Sequence, residues 1–176
     1  MFHPRYVTLK DGRAALIRRV EPADARELLD HVNEVGAEQV YIMTERLGHA
    51  VDEEAEILRK LDHRRMLFLV AIVDRTLVGS ADIERGRQAK NVHTASLGIT
   101  IRRQVRGQGL GQAMLEDLLR WAKSEGVRKV TLGVFATNTS AIALYQKLGF
   151  SEEARLLGQV VLGGQAIDEV LMALWL

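Results

Sequence analysis

The stretch Arg106-Gly107-Gln108-Gly109-Leu110-Gly111 constrains this chain more than any other. Upstream, Val92 to Ile101 reads as a strand. Downstream, Leu110, Met114, Leu118, Trp121 and Ala122 recur at helical spacing, with Gln112, Glu116, Arg120 and Lys123 between them. A strand that turns through glycines into a helix lets the backbone come close to a ligand. The helix N-terminus adds unpaired N–H groups and positive partial charge. Together these make an anion cradle suited to a pyrophosphate, with Arg102, Arg103 and Arg106 beside it. Two phosphate-binding patterns fail here. No Gly-Lys-Ser/Thr follows the loop, and the third glycine of a dinucleotide fingerprint is replaced by Gln112. The pattern Arg/Gln-x-x-Gly-x-Gly/Ala is met by Arg106, Gly109 and Gly111.

The rest of the chain alternates strands and helices, which predicts an α/β fold of the mixed α+β kind. Tyr6 to Leu9 and Ala14 to Arg19 form a hairpin around Asp11-Gly12. A helix follows Pro22 to about Val32, and a second spans Asp52 to Arg64. Met66 to Val73 and Leu77 to Glu84 are strands joined at Asp74 to Thr76. Gly126 stops the helix after the glycine loop, and Val130, Leu132 and Val134 alternate as a strand. Asn138 caps a helix from Thr139 to Leu148 that Gly149 ends. Glu152 to Leu162 and Ala166 to Leu176 are closing strands. No repeat or linker divides the 176 residues, so residues 1–176 are expected to form one domain.

Composition removes several function classes. There are no cysteines, hence no disulfide, thiolate metal site or cysteine nucleophile. A net charge of +1 argues against nucleic acid or an anionic membrane as the partner. His3, His31, His49 and His63 lack metal-ligand spacing, so no metal is expected. Met1 to Lys10 has no apolar core of a signal peptide. No apolar run is long enough to span a bilayer. The expected compartment is the cytoplasm.

Beyond the loop, the sequence resembles the GCN5-related N-acetyltransferases. Leu97-Gly98-Ile99-Thr100-Ile101 looks like that family's fourth strand, and Leu132-Gly133-Val134-Phe135 with Asn138 like its fifth strand and following turn. Ala141-Ile142-Ala143-Leu144-Tyr145-Gln146-Lys147-Leu148-Gly149-Phe150 is similar to its next helix, and Asp168 to Ala173 to its closing strand. Residues 92 to 176 match closely and in order, whereas residues 1 to 91 match only in order of elements. The resemblance implies a twisted mixed sheet whose two central strands splay around the pantetheine arm of acetyl-CoA, the co-substrate. It implies that the backbones of Ile99 and Ile101 hold the acetyl end, with the Ile99 N–H polarising the thioester carbonyl. Residues Arg106 to Gly111 with Gln112 would take the pyrophosphate, Asn138 would contact the arm, and Lys147 would reach a phosphate. Tyr145 would protonate the leaving thiolate.

The glutamate that family members acting on peptide N-termini carry on the fourth strand is replaced by Ala95. Alternation places His93 on the same face as Ala95, Leu97 and Ile99, and its resting pKa suits proton transfer. His93, Glu84 and a water chain therefore remain as candidate bases. The expected acceptor is a small primary amine or amino acid. A peptide N-terminus and a CoA-binding regulatory module with little catalysis are the alternatives. A homodimer is an expectation from the resemblance alone.

Overall fold

The computed structural model describes residues 2–176. The Asp11-Gly12 turn closes β1 (Arg5–Thr8) onto β2 (Ala14–Arg19). Gly12 takes a φ of +88°, and Asp11 Oδ1 accepts the Arg13 N–H at 3.1 Å. The apolar run at Met66–Val73 is β3, and a tight turn at Asp74-Arg75 returns the chain as β4 (Thr76–Arg85). Both turn residues have positive φ, 48° and 65°, which matches the twist of a two-residue hairpin. β4 pairs with β5 (Thr94–Ile101). Beyond the glycine loop come α3 (Leu110–Ser124), β6 (Lys129–Phe135), α4 (Thr139–Lys147), β7 (Ser151–Leu162) and β8 (Gln165–Trp175).

These strands form one sheet in the order β1-β2-β3-β4-β5-β6-β8-β7. Every neighbouring pair is antiparallel except β5 and β6, which are parallel. A parallel pair needs a crossover, and α3 supplies it. The two-residue period of the strands divides the core between two faces. Leu67 and Leu69 of β3 pack with Met114, Leu115 and Leu118 of α3, and Tyr145 of α4 joins that cluster. Val70 of β3 points the other way, into a smaller cluster with Leu28 of α1 (Ala25–Ala37) and Leu58 of α2 (Val51–Arg59).

Element boundaries differ from the sequence expectations by more than a residue at four places, each with a local cause. Pro22–Asp24 is a short 3-10 turn ahead of α1, fixed by the Asp24 carboxylate, which accepts the Glu21 N–H at 2.7 Å and pairs with Arg18. α1 then runs past Val32 to Ala37, because Val35 continues the buried stripe of Leu28 and His31. α2 ends at Arg59 rather than Arg64, since Asp62 Oδ1 accepts the Arg64 N–H and bends residues 62–66 into β3. β5 begins at Thr94, whose N–H and hydroxyl both donate to the Asn91 carbonyl, so Val92 and His93 lie in a turn.

The burial pattern sets an expected contrast in stability. Leu118 is 0% exposed beneath the sheet and Leu157 is 79% exposed on β7. Leu118→Ala is expected to cost ~2–5 kcal/mol, and Leu157→Ala to stay within ~0.5 kcal/mol of the parent, as measured by urea unfolding.

Candidate active site

The pairing of β5 with β6 stops early. Thr94, Ala95 and Ser96 pair with Lys129, Val130 and Thr131, and no pair follows. Beyond that point β5 stays paired with β4, and β6 with β8. The two strands therefore part, and the β5 edge from Leu97 to Ile101 opens onto a gap. Which groups face the gap follows from alternation. The Arg102 N–H donates to Val78 of β4, so even-numbered residues direct their backbone groups to β4. The N–H and C=O groups of Ile99 and Ile101 consequently face the gap. The Ile101 carbonyl already accepts the Arg106 Nε–H at 2.7 Å, which leaves the Ile101 N–H and both Ile99 groups open.

The loop after β5 turns that edge into the start of α3. Gly107 and Gly109 take φ of +73° and +93°, the left-handed region that glycine enters without penalty. A Cβ on either would meet nothing within 4 Å, so their backbone is open to approach. The first bond of α3 runs from the Ala113 N–H to the Gly109 carbonyl. The N–H groups of Leu110, Gly111 and Gln112 are thus the unpaired amides of a helix N-terminus. The Leu110 side chain is buried in the core, so Leu110 contributes its amide alone. Gln108 offers its carbonyl to the Lys10 N–H of the β1–β2 turn at 3.1 Å, which ties that turn to the loop.

The guanidinium of Arg106 is engaged elsewhere than at the loop. Its Nη1 and Nη2 donate to the Glu38 carboxylate at 2.8 and 2.5 Å, and it lies over the Tyr41 ring at 4.3 Å. Glu38 in turn is held below its usual carboxylate pKa by that hydrogen bond. Arg106 therefore braces the end of α1 and the segment after it against β5. Arg102 reaches Glu34 of α1 at 3.3 Å. Lys147 remains at the mouth, where its Nζ donates to Gln112 Oε1 at 2.9 Å and Gln112 Nε2 donates to Glu116.

A cleft of about 500 Å³ joins the open β5 edge, the loop and α4. Tyr145 lines it while being only 7% exposed. Burial pushes its phenol pKa up to about 12, which keeps the hydroxyl protonated at neutral pH. Its ring is fixed against Phe150, with centroids 6.0 Å apart. Asn138 also lines the cleft and at the same time caps α4, its Oδ1 accepting the Ala141 N–H at 3.2 Å.

Two expected bases lie away from this cleft. His93 precedes β5 in the turn, and its carbonyl accepts the N–H groups of Arg128 and Lys129. Six residues of strand separate it from Ile99, roughly 20 Å. Glu84 sits opposite Ser96, with its carboxylate against Arg87 at 2.9 Å and Arg65 at 3.4 Å. Ala95, the position of the missing glutamate, is 3% exposed in the α3-side core. The cleft also takes Lys10, Tyr41, Ile42, Met43 and Glu169, none of which a motif marked. Tyr41 to Met43 belong to the coil between α1 and α2, which carries no periodic signal. Glu169 was legible only as part of a strand.

Among the described residues, no group of three or more His, Asp or Glu side chains is arranged to hold a metal ion. No helix among them is long and apolar enough to cross a membrane.

Comparison with known proteins agrees with this geometry. The chain is 26% identical to the L-amino acid N-acetyltransferase AaaT of Escherichia coli, over 90% of this chain and 96% of that protein. A solved acetyltransferase of the GNAT family from Streptococcus pneumoniae superposes with a TM-score of 0.86 at 29% identity, covering 92% of this chain and 99% of that one. The structure of yncA from Salmonella typhimurium, solved with acetyl-CoA, shares the fold at a TM-score of 0.80 and 22% identity, over 90% of this chain and 92% of that one. The model of the acetyltransferase (GNAT) family matches residues 25–150, and with the parted β5 and β6 strands and the glycine loop already in place, the chain belongs to that family of N-acetyltransferases.

Proposed function

We propose that this N-acetyltransferase uses acetyl-CoA as donor and acetylates a small primary amine, the class that includes free amino acids. The observation that carries the reading is one continuous cleft holding an open strand edge, a helix N-terminus and a buried protonated tyrosine. The likeness to the amino-acid acetyltransferase of Escherichia coli supports the size of the acceptor. The residues fit the donor. Gly107 and Gly109 leave open space where side chains would stand, and the amides of Leu110, Gly111 and Gln112 point the positive end of α3 at a pyrophosphate. The Ile101 N–H and the two open Ile99 groups match a chain of amides lying along β5.

Acetyl-CoA supplies an activated thioester. The protein's part is to orient and polarise it. The Ile99 N–H donates to the thioester oxygen as charge develops there. Tyr145 Oη holds the proton that the departing sulfur takes up. Asn138, rigid at the head of α4, borders the path between them. Lys147 adds positive charge at the mouth, where the phosphates would leave the cleft.

Release of free thiol from acetyl-CoA should require an amine and should be fastest with a member of a panel of amino acids and alkylamines. Acetylation confined to peptide N-termini would replace the acceptor in this reading, and binding of CoA without turnover would leave a regulatory module. Tyr145→Phe is expected to lower kcat ~100-fold or more while acetyl-CoA affinity stays within about threefold, read by isothermal titration. Equal losses in both would make Tyr145 a packing residue. Gly111→Glu places an acidic residue in the first turn of α3, where the helix dipole favours it, with only ordinary contacts to Leu144 and Ile99. The protein should therefore keep its Tm while acetyl-CoA affinity falls at least ~10-fold, the effect of about 1.4 kcal/mol.

A further inference from the structure

Gly98 and Gly133 occupy matching positions on β5 and β6. Had the parallel pairing continued two residues past Ser96 and Thr131, it would have joined them. Both line the cleft. On the outer side of each stands a carboxylate. Asp82 of β4 is the antiparallel partner of Gly98, and its Oδ1 lies 3.2 Å from where a Gly98 Cβ would be. Glu169 of β8 lays its carboxylate over Gly133, where a Cβ would collide with it. Four strands thus contribute one row, Asp82–Gly98 and Gly133–Glu169, with the parted edge in the middle.

The row lies on the face opposite the tyrosine helix. Ile99, beside Gly98, packs toward the α3-side core. Thr100 points to the other face, where its Oγ1 meets Ser80 Oγ and His31 Nε2, each at 2.8 Å. His31 belongs to α1, so Gly98, Asp82 and Ser80 face α1. A thioester lying in the gap would have the Tyr145 side behind it and the two carboxylates in front. An amine must approach from the front, because α3 and α4 close the back.

The surroundings of Asp82 leave it without a countercharge. From its own strand Glu84 faces it, and Arg65 and Arg87 answer Glu84 instead. From α1 comes His31, which burial pushes down to about 4 and so keeps neutral. From β3 comes Phe68, its pairing partner, which carries no charge. Burial and the like charge of Glu84 raise the Asp82 carboxyl to about 6. The guanidinium groups of Arg102 and Arg106 are turned to Glu34 and Glu38.

We propose that Asp82, reached across Gly98, takes the proton from the acceptor's ammonium, and that Glu169 holds a second positive group of the same acceptor. The inference rests on the acetyl-transfer reading above and narrows it to amines carrying two positive groups, such as diamines or basic amino acids. The Asp82 carboxylate accepts one proton from R–NH3⁺ and passes it to solvent. The freed nitrogen bonds to the thioester carbon while the carbon–sulfur bond breaks. The nitrogen's next proton goes to Asp82, which gives it up to solvent, and the sulfur takes one from Tyr145, which solvent restores. The products are the acetamide, the free thiol and one proton released to solution.

A carboxylate base must be ionised to act, so kcat/KM should fall as pH drops through the folded pKa near 6. The test compares the parent with Asp82→Asn, Asp82→Glu and Glu169→Gln. The acceptors are 1,4-diaminobutane, L-lysine and the uncharged-side-chain L-methionine. Acetyl-CoA binding is followed in parallel by thermal unfolding. We expect Asp82→Asn to lower kcat at least 100-fold and abolish the acidic limb, Asp82→Glu to restore part of the rate, and the acetyl-CoA stabilisation to persist in all variants. Glu169→Gln should raise KM for the two dicationic acceptors more than for L-methionine. A parent-like rate and pH profile in Asp82→Asn overturns the inference, as does loss of acetyl-CoA stabilisation in that variant or preference of the parent for L-methionine. Failure of the parent itself to bind acetyl-CoA would instead overturn the donor assignment, and this proposal with it.

Discussion

The rest of the site depends on β5 and β6 ceasing to pair after three residue pairs. Backbone N–H and C=O groups taken from water without partners cost on the order of 1–3 kcal/mol each. A parted edge inside a sheet is therefore tolerable only where water or a ligand reaches it. Here it borders a cleft of about 500 Å³, and Gly98 and Gly133, two residues past the last pair on each strand, line that cleft without side chains of their own. The strands are held apart by being held elsewhere, β5 along its length by β4 and β6 along its length by β8. The gap is a product of the sheet's two firm halves rather than of a weak strand.

The glycine loop and Arg106 convert that gap into a site with direction. Arg106 accounts for two features at once. Its Nε closes the Ile101 carbonyl, and its fork fixes Glu38 and the coil beneath Tyr41. The loop can then turn sharply through Gly107 and Gly109 and present the first amides of α3 toward the same gap. This end offers the helix terminus and open backbone amides, with Lys10, Arg106 and Lys147 as the cationic side chains that line it. Polarity along the cleft follows: amides and cations at the loop end, the Glu169 carboxylate at the other.

Most of the second half of the chain was legible because its signals are local. The loop's glycines, the Leu110–Ala122 stripe, the Asn138 cap and the Tyr145 helix each announce a short-range geometry, and each lies where expected. The first half was legible as elements but not as a site. Tyr41 to Met43 reach the cleft only because Arg106 pins the end of α1, a contact 68 residues apart in sequence. Asp82 and Glu169 come beside the two glycines through strand order, which alternation within one strand cannot reveal. His93 shows the same limit from the other side. Its face was inferred by extending β5 two residues too far, and the Asn91–Thr94 turn cancels that inference.

Amide hydrogen exchange along β5 tests the central claim most directly, because alternation assigns each amide to one edge. In the free protein, Ile99 and Ile101 should exchange much faster than Gly98 and Thr100, whose N–H groups point to β4. Saturating CoA should slow Ile99 and Ile101 markedly and leave Gly98 and Thr100 nearly unchanged. Odd and even residues exchanging alike in the free protein, or no protection of Ile99 and Ile101 by CoA, would contradict the account: the open edge would then not be the surface on which the donor lies.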